Sequence, residues 1–285
     1  MRKSNLLFLF ILFLTCYSIA EEPPSNTPIK VQKLSDHVYV FEETERYRVN
    51  LAALTGPDGI ILLDTGFKIH GDALMDTLQS LNSGEVKYLI NSHIDRDHVE
   101  ANSFLGTDIT IIGHKNCDSF FQSSGARPIT FDETYSFKFN RMKIVCTAYP
   151  GGHTACDIMV YIPELKIACL GDLYLSESFP RIDIESGSKA QVLLKHLKEI
   201  HATLPEDTRL IPGHGQVTTM DEFGIYIDMV ETTMQIIKAE MDKEKTLEEI
   251  QDADALKDWN QWGAYFPFIN KNSWIDNVVS SYSGQ

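Results

Sequence analysis

The sequence predicts an α/β fold, and three observations carry that prediction. Short apolar runs of strand length alternate with turns and with segments of helical period from one end of the chain to the other. One of these runs, the "GIILL" of "GIILLDTG", is apolar throughout, which suits a buried strand ending at Asp64 rather than a half-exposed one. Finally, 285 residues with 43% hydrophobic content are ample for a buried core.

Residues 1–20, "MRKSNLLFLFILFLTCYSIA", open with Arg2 and Lys3, continue with an apolar run from Leu6 to Leu14, and end on small residues before Glu21. This is the pattern of a secretory signal peptide, and it places the mature protein in a periplasmic or secreted location. The run is too short for a stable membrane span, so no stable membrane anchoring is expected after cleavage. An uncleaved anchor and a lipoprotein at Cys16 are the other readings. Residues 21–30, "EEPPSNTPIK", read as a polar, proline-rich lead-in, and residues 31–285 as one domain.

Within that domain "HVYVFEE", "GIILLDTG", "VKYLIN", "DITIIGH", "MKIVCTAYP", "DIMVYIP", "LKIACLGD" and "TRLIPGHG" read as strands. "GDALMDTLQSL" reads as a helix. "SKAQVLLKHLKEIHATL" places Val192, Leu193, Leu197 and Ile200 along one helical face. From Asp221 onward the chain reads as helical and acidic, ending in an aromatic-rich stretch.

The formal net charge of −15 argues against nucleic acid or an anionic membrane face as a partner and leaves a small-molecule substrate. The chain has neither a G-x-x-x-x-G-K-[ST] loop nor a G-x-G-x-x-G turn, so nucleotide chemistry has no support. Loss of Cys16 with the signal leaves Cys117, Cys146, Cys156 and Cys169, whose spacing matches no disulfide framework; buried free thiols are expected. The sequence does not indicate an oligomeric state.

Candidate ligands gather at strand ends. In "NSHIDRDHVEAN", His93 and Asp95 alternate just past a strand and point the same way in extended backbone. Asp97 and His98 follow where a helix begins. His153 in "PGGHTACD", Asp172 in "CLGDLYL" and His214 in "IPGHGQV" each have a glycine nearby, which lets backbone approach a crowded centre. Seven imidazole and carboxylate groups suit two metal ions sharing Asp172 as a bridge, with zinc favoured and iron or manganese compatible. Surface or structural roles are expected for His37, His70, His114, His196 and His201.

The ordered set DTG, HxDxDH, GHT, GD, PGHG, running from Asp64 to His214, resembles the five motifs of the metallo-β-lactamase fold superfamily. The resemblance implies a four-layer αββα sandwich with a helical C-terminal extension over 221–285 and metals at one edge between the sheets. It assigns the first metal to His93, Asp95 and His153, the second to Asp97, His98 and His214, and the bridge to Asp172. Asp64 would order the loops beneath the metals. The resemblance further implies a metal-bridging hydroxide acting on an ester, thioester, lactone or lactam bond, with Asp97 and Asp172 as catalytic groups. Tyr47, in an early hairpin, and Phe179 and Asp183, in "SESFPRIDIESG", are expected to line the substrate pocket.

Asp95 departs from the family's H-x-H-x-D-H. Either carboxylate replaces imidazole and two zinc ions still bind, which is the reading favoured here, or the site is tilted toward iron, or the first metal binds weakly. The second case resembles the flavodiiron H-x-E-x-D-H and would make the protein an iron-dependent oxidoreductase. The third would leave a non-catalytic metal-binding exported protein.

Overall fold

The apolar runs become two sheets packed face to face. The computed structural model describes residues 28–45, 47–81 and 83–283; the signal peptide expected over residues 1–20 lies outside them. The first sheet has seven strands in sequential order: β1 (Ile29–Lys33), β2 (Val38–Glu43), β3 (Asn50–Gly56), β4 (Gly59–Leu63), β5 (Val86–Ile90), β6 (Thr110–His114) and β7 (Arg127–Phe131). Its first four strands form an antiparallel meander and its last four run parallel. Parallel neighbours need crossovers. These contain α1 (Gly71–Ser80), α2 (Arg96–Val99) and α3 (Asp118–Ser123).

The second sheet has the order β12-β11-β10-β9-β8, from β8 (Thr134–Phe139), β9 (Met142–Ala148), β10 (Ile158–Ile162), β11 (Ile167–Leu175) and β12 (Arg209–His214). Strands β8 and β9 meet at a tight turn in which Asn140 and Arg141 both have positive φ, the geometry whose twist matches a hairpin. The parallel β11–β12 pair is joined through α4 (Ala190–Thr203). Three more helices close the chain: α5 (Met220–Met241), α6 (Leu247–Asp252) and α7 (Lys271–Ser283). Capping boxes, Thr219 with Glu222 and Thr246 with Glu249, start α5 and α6.

Strand alternation explains why two sheets give four layers. Along β3 and β4, Ala52, Leu54, Ile61 and Leu63 face the second sheet and meet Ile144, Val160, Cys169 and Ile211. Their neighbours Leu51, Ala53, Ile60 and Leu62 face outward onto Leu74 and Leu78 of α1 and Phe121 of α3. The far side of the second sheet packs Leu170 and Tyr174 against Leu193, Leu197, Phe223, Tyr226 and Trp274. Strands covered on both faces must be apolar throughout. The architecture is the αββα sandwich with a helical C-terminus. Among the described residues, no helix is long and apolar enough to cross a membrane.

Two expectations need correction. Strand β1 begins at Ile29, so the last residues of the supposed lead-in belong to the sheet. Cys117 and Cys156 are joined in a disulfide across 39 positions, and among the described residues Cys146 and Cys169 are free, buried thiols. The pairing is invisible in the spacing because it joins the turn after β6 to the β9–β10 loop, segments that meet only once both sheets have formed.

Candidate metal centre

Strand ends and loops at one edge of the sandwich deliver all seven candidate ligands. β5 ends at Ile90 and leads to His93 and Asp95; α2 carries Asp97 and His98; the loop between β9 and β10 carries His153. Asp172 lies within β11, where Gly171 has positive φ (+51°) and the register shifts. His214 ends β12. Gly213 faces the cluster, and a Cβ there would collide with Oδ1 of Asp172. Only glycine leaves room for that carboxylate.

The ligand atoms converge in two groups around Asp172. Its Oδ1 lies 3.1 Å from His98 Nε2 and 3.5 Å from His214 Nε2. Its Oδ2 lies 3.6 Å from His153 Nε2 and 3.9 Å from His93 Nε2. Asp95 Oδ2 is 3.4 Å from His153 Nε2, and Asp97 Oδ2 is 3.3 Å from His214 Nε2. The sets His93–Asp95–His153 and Asp97–His98–His214 each have one donor atom per residue within 4.8 Å of the others.

Each imidazole is turned by its other nitrogen. His98 Nδ1 lies 2.8 Å from Asp64 Oδ2, His93 Nδ1 2.9 Å from Ser92 Oγ, His153 Nδ1 2.8 Å from the carbonyl of Arg181 and His214 Nδ1 2.7 Å from the carbonyl of Tyr47. A carbonyl can only accept, so His153 and His214 donate through Nδ1 and present an unprotonated Nε2 when neutral. Asp64 also accepts from the Ser92 amide at 2.8 Å and its hydroxyl at 2.6 Å, so one carboxylate fixes both His93 and His98. The residues fit a metal pair. Nε2 of His93, His98 and His153 and Oδ1 of Asp172 are buried without a hydrogen-bond partner among the described residues, a costly arrangement that a cation at their centre relieves.

The electrostatics agree. Burial works against protonating His153 and His214, but the surrounding carboxylates outweigh it, led by Asp95 at His153 and by Asp172 at His214, and push both to about 9. His93, buried among other imidazoles, falls to about 4. Burial would raise Asp97, but His214 and His98 hold it below the usual carboxylate range. Asp157, which is fully buried, is pushed up to about 6 while it accepts from the amides of His153 and Thr154 and shapes the His153 loop. This is a site with a surplus of carboxylate that attracts protons or metal cations.

A cleft of about 410 Å³ opens over Asp95, Asp97, Asp172 and His214, walled by Tyr47, Leu175, Arg181, Phe266, Phe268 and Ile269. Tyr47 lines this cleft, its ring 4.9 Å from that of Phe268. The other two pocket expectations are corrected. Phe179 is fully buried and stacks on Trp274, so it belongs to the core, and Asp183 caps the turn at Ser186. Of that segment it is Arg181 that reaches the cleft, with Nη1 2.7 Å from Asp95 Oδ2. An arginine in an acidic chain, directly after a proline, was the available signal. Phe266 and Phe268 of "AYFPF" were legible only as part of an aromatic-rich tail. Of the five other histidines, His70 is buried against Glu43 at 3.0 Å, and His114 and His196 face the carbonyls of Asp132 and Pro150.

Comparison with known proteins agrees with this geometry. No family model matches the chain. It is 22% identical over 258 residues to the type 2 metallo-β-lactamase of Bacteroides fragilis, covering 82% of this chain and 96% of that protein. It is 25% identical over 156 residues to the hydroxyacylglutathione hydrolase of Brucella anthropi, covering 54% of this chain and 57% of the relative. Among solved structures, the inverting sec-alkylsulfatase Pisa1 of Pseudomonas sp. superposes with a TM-score of 0.71 at 13% identity, covering 90% of this chain and 50% of that one. The chain has the metallo-β-lactamase fold, and its sequence is similar to enzymes of that superfamily.

Proposed function

We propose that this protein is an exported hydrolase whose seven-residue cluster holds two zinc ions and which cleaves an ester, thioester, lactone or lactam bond. The observation that carries the reading is the convergence of buried, unpartnered Nε2 atoms on the two oxygens of one carboxylate, Asp172. A metal pair held there would supply a Lewis acid and lower the pKa of water to near neutral. The chain's own residues do the rest. Asp97, held ionised by its histidine neighbours, lies on the cleft wall, where it would orient the attacking hydroxide besides holding its metal. Tyr47, Phe266 and Phe268 offer an apolar wall that excludes water and holds the hydrophobic part of a small substrate.

Support for hydrolysis comes from the relatives, two of which are named as hydrolytic enzymes of different substrates. Support for export comes from the first twenty residues and from the Cys117–Cys156 disulfide, which suits an oxidising compartment. The test is metal analysis by mass spectrometry of protein recovered from its natural compartment without added metal, followed by a hydrolase screen. About two zinc per chain together with hydrolysis supports the proposal. Iron in their place, or zinc without hydrolysis of any of the four bond classes, overturns it.

A further inference from the structure

Asp95 brings a negative charge to a position where the family pattern has a neutral imidazole. The structure assigns to Arg181 the task of cancelling that charge: Asp95 and Arg181 together replace one neutral histidine, and the guanidinium is compatible with a metal at this site only beside the carboxylate. The inference rests on the reading that the cluster holds metal.

Asp95 Oδ2 faces His153 Nε2 at 3.4 Å and Arg181 Nη1 at 2.7 Å. A carboxylate oxygen has two lone pairs, so it can accept from the guanidinium and still offer an electron pair toward the centre. Arginine is charged at every relevant pH and, unlike an imidazole, cannot become neutral. The pair therefore sums to zero. Its placement is not left to a freely moving side chain. The Arg181 carbonyl accepts from His153 Nδ1, and the Asp183 amide donates to the carbonyl of His153, so the 181–183 segment is tied to the same loop on both sides. Arg181 thus touches two of the three residues of the first group, one through its backbone and one through its side chain. Arg96, the other arginine on the cleft, is engaged with Glu100 instead. Among the described residues, no second Lys or Arg forms an ion pair with a member of the cluster.

Charge then sets an unusual expectation. Restoring the family's histidine by Asp95→His should weaken metal binding, because an unmatched guanidinium is left close to a divalent cation. Removing the guanidinium as well, by Arg181→Gln, should restore it. Arg181 is a positioning and charge-balancing residue, and the readout is metal affinity rather than turnover.

The experiment is zinc competition against a chromophoric chelator for the wild type, Asp95→His, Arg181→Gln and the double variant, with thermal melts as a fold check. Asp95→His should lose about tenfold or more in affinity at one of the two sites. The double variant should recover to within about twofold of wild type. Arg181→Gln should hold zinc at least as tightly as wild type, since it leaves the Asp95 carboxylate uncompensated. If Asp95→His does not fold, Asp95→Asn takes its place, with the same recovery expected on adding Arg181→Gln. Zinc held as tightly by Asp95→His as by wild type overturns the inference alone, as does absence of recovery. Loss of zinc from Arg181→Gln overturns it too, because the guanidinium would then merely hold the carboxylate in place. A wild-type chain that binds no zinc overturns the metal reading and this inference together.

Discussion

The two halves of the cluster are built on different foundations. Asp97, His98 and His214 stand on α2 and the end of β12, and their orienting partners are Asp64, directly after β4, and the carbonyl of Tyr47, in the β2–β3 hairpin that Val49 bridges to His214. His93, Asp95 and His153 rely more on loops: the β9–β10 loop is stapled by the Cys117–Cys156 disulfide, and Asp95 is held by a guanidinium that is 45% exposed. The second half is preorganised by secondary structure and the first by cross-links. Preorganisation by cross-links can be undone chemically, which makes the comparison testable.

The largest effect should erase both halves at once. Asp172→Ala and His98→Ala should each reduce turnover to background and lower zinc content, because Asp172 is shared and His98 lies 3.1 Å from it; full turnover by either variant would break the two-metal reading. Asp64→Asn comes next. It removes a charged acceptor from His98 and Ser92, and zinc affinity should fall by about 10–100-fold. Isothermal titration with zinc would show whether the second site suffers more than the first.

Replacing Cys117 and Cys156 by serine should cost about 2–5 kcal/mol of stability in chemical denaturation. The same variant should release zinc from the first site before the second, and equal release from both would erase the distinction drawn between the halves. The smallest effect is on pH. His153 and His214 are raised to about 9 in the folded, metal-free protein, against a usual 6.5. They therefore stabilise that form fully below about 6.5 and lose this contribution as pH rises through 9. Metal-free protein should melt at a lower temperature at pH 9 than at 6.5, while the zinc-loaded protein should not follow. Zinc uptake near neutral pH should release protons, measurable in weakly buffered solution.

Sequence legibility followed the same division. Ligands at strand ends were legible because a strand end is marked by its apolar run and by glycine: "LLDTG", "CLGD" and "IPGHG" gave Asp64, Asp172 and His214 their places. Strands β1, β3, β7 and β8 were not picked out. "NLAALTG" lacks β-branched bulk, and "IKVQK", "RPITF" and "TYSFKF" lie at sheet edges, where most positions are only partly buried or exposed. The disulfide, Arg181 and Phe266 depend on contacts between segments far apart in the chain, and local pattern contains no record of those. Phe179 was misplaced for a related reason: nothing in "SESFPRIDIESG" says which side chains turn inward, and the answer comes from Trp274, 95 positions later.

Tyr47 shows what this construction means for anyone wishing to change what the cleft accepts. Its ring forms part of the wall, while its carbonyl fixes His214, and its neighbour Val49 bridges to the same histidine. Side chain and main chain serve separate purposes at one residue. Selectivity can therefore be redesigned by exchanging the ring for another shape. Lengthening or shortening the hairpin would shift the carbonyl and disturb the ligand beneath it, so the design freedom at this position lies in the side chain and not in the loop.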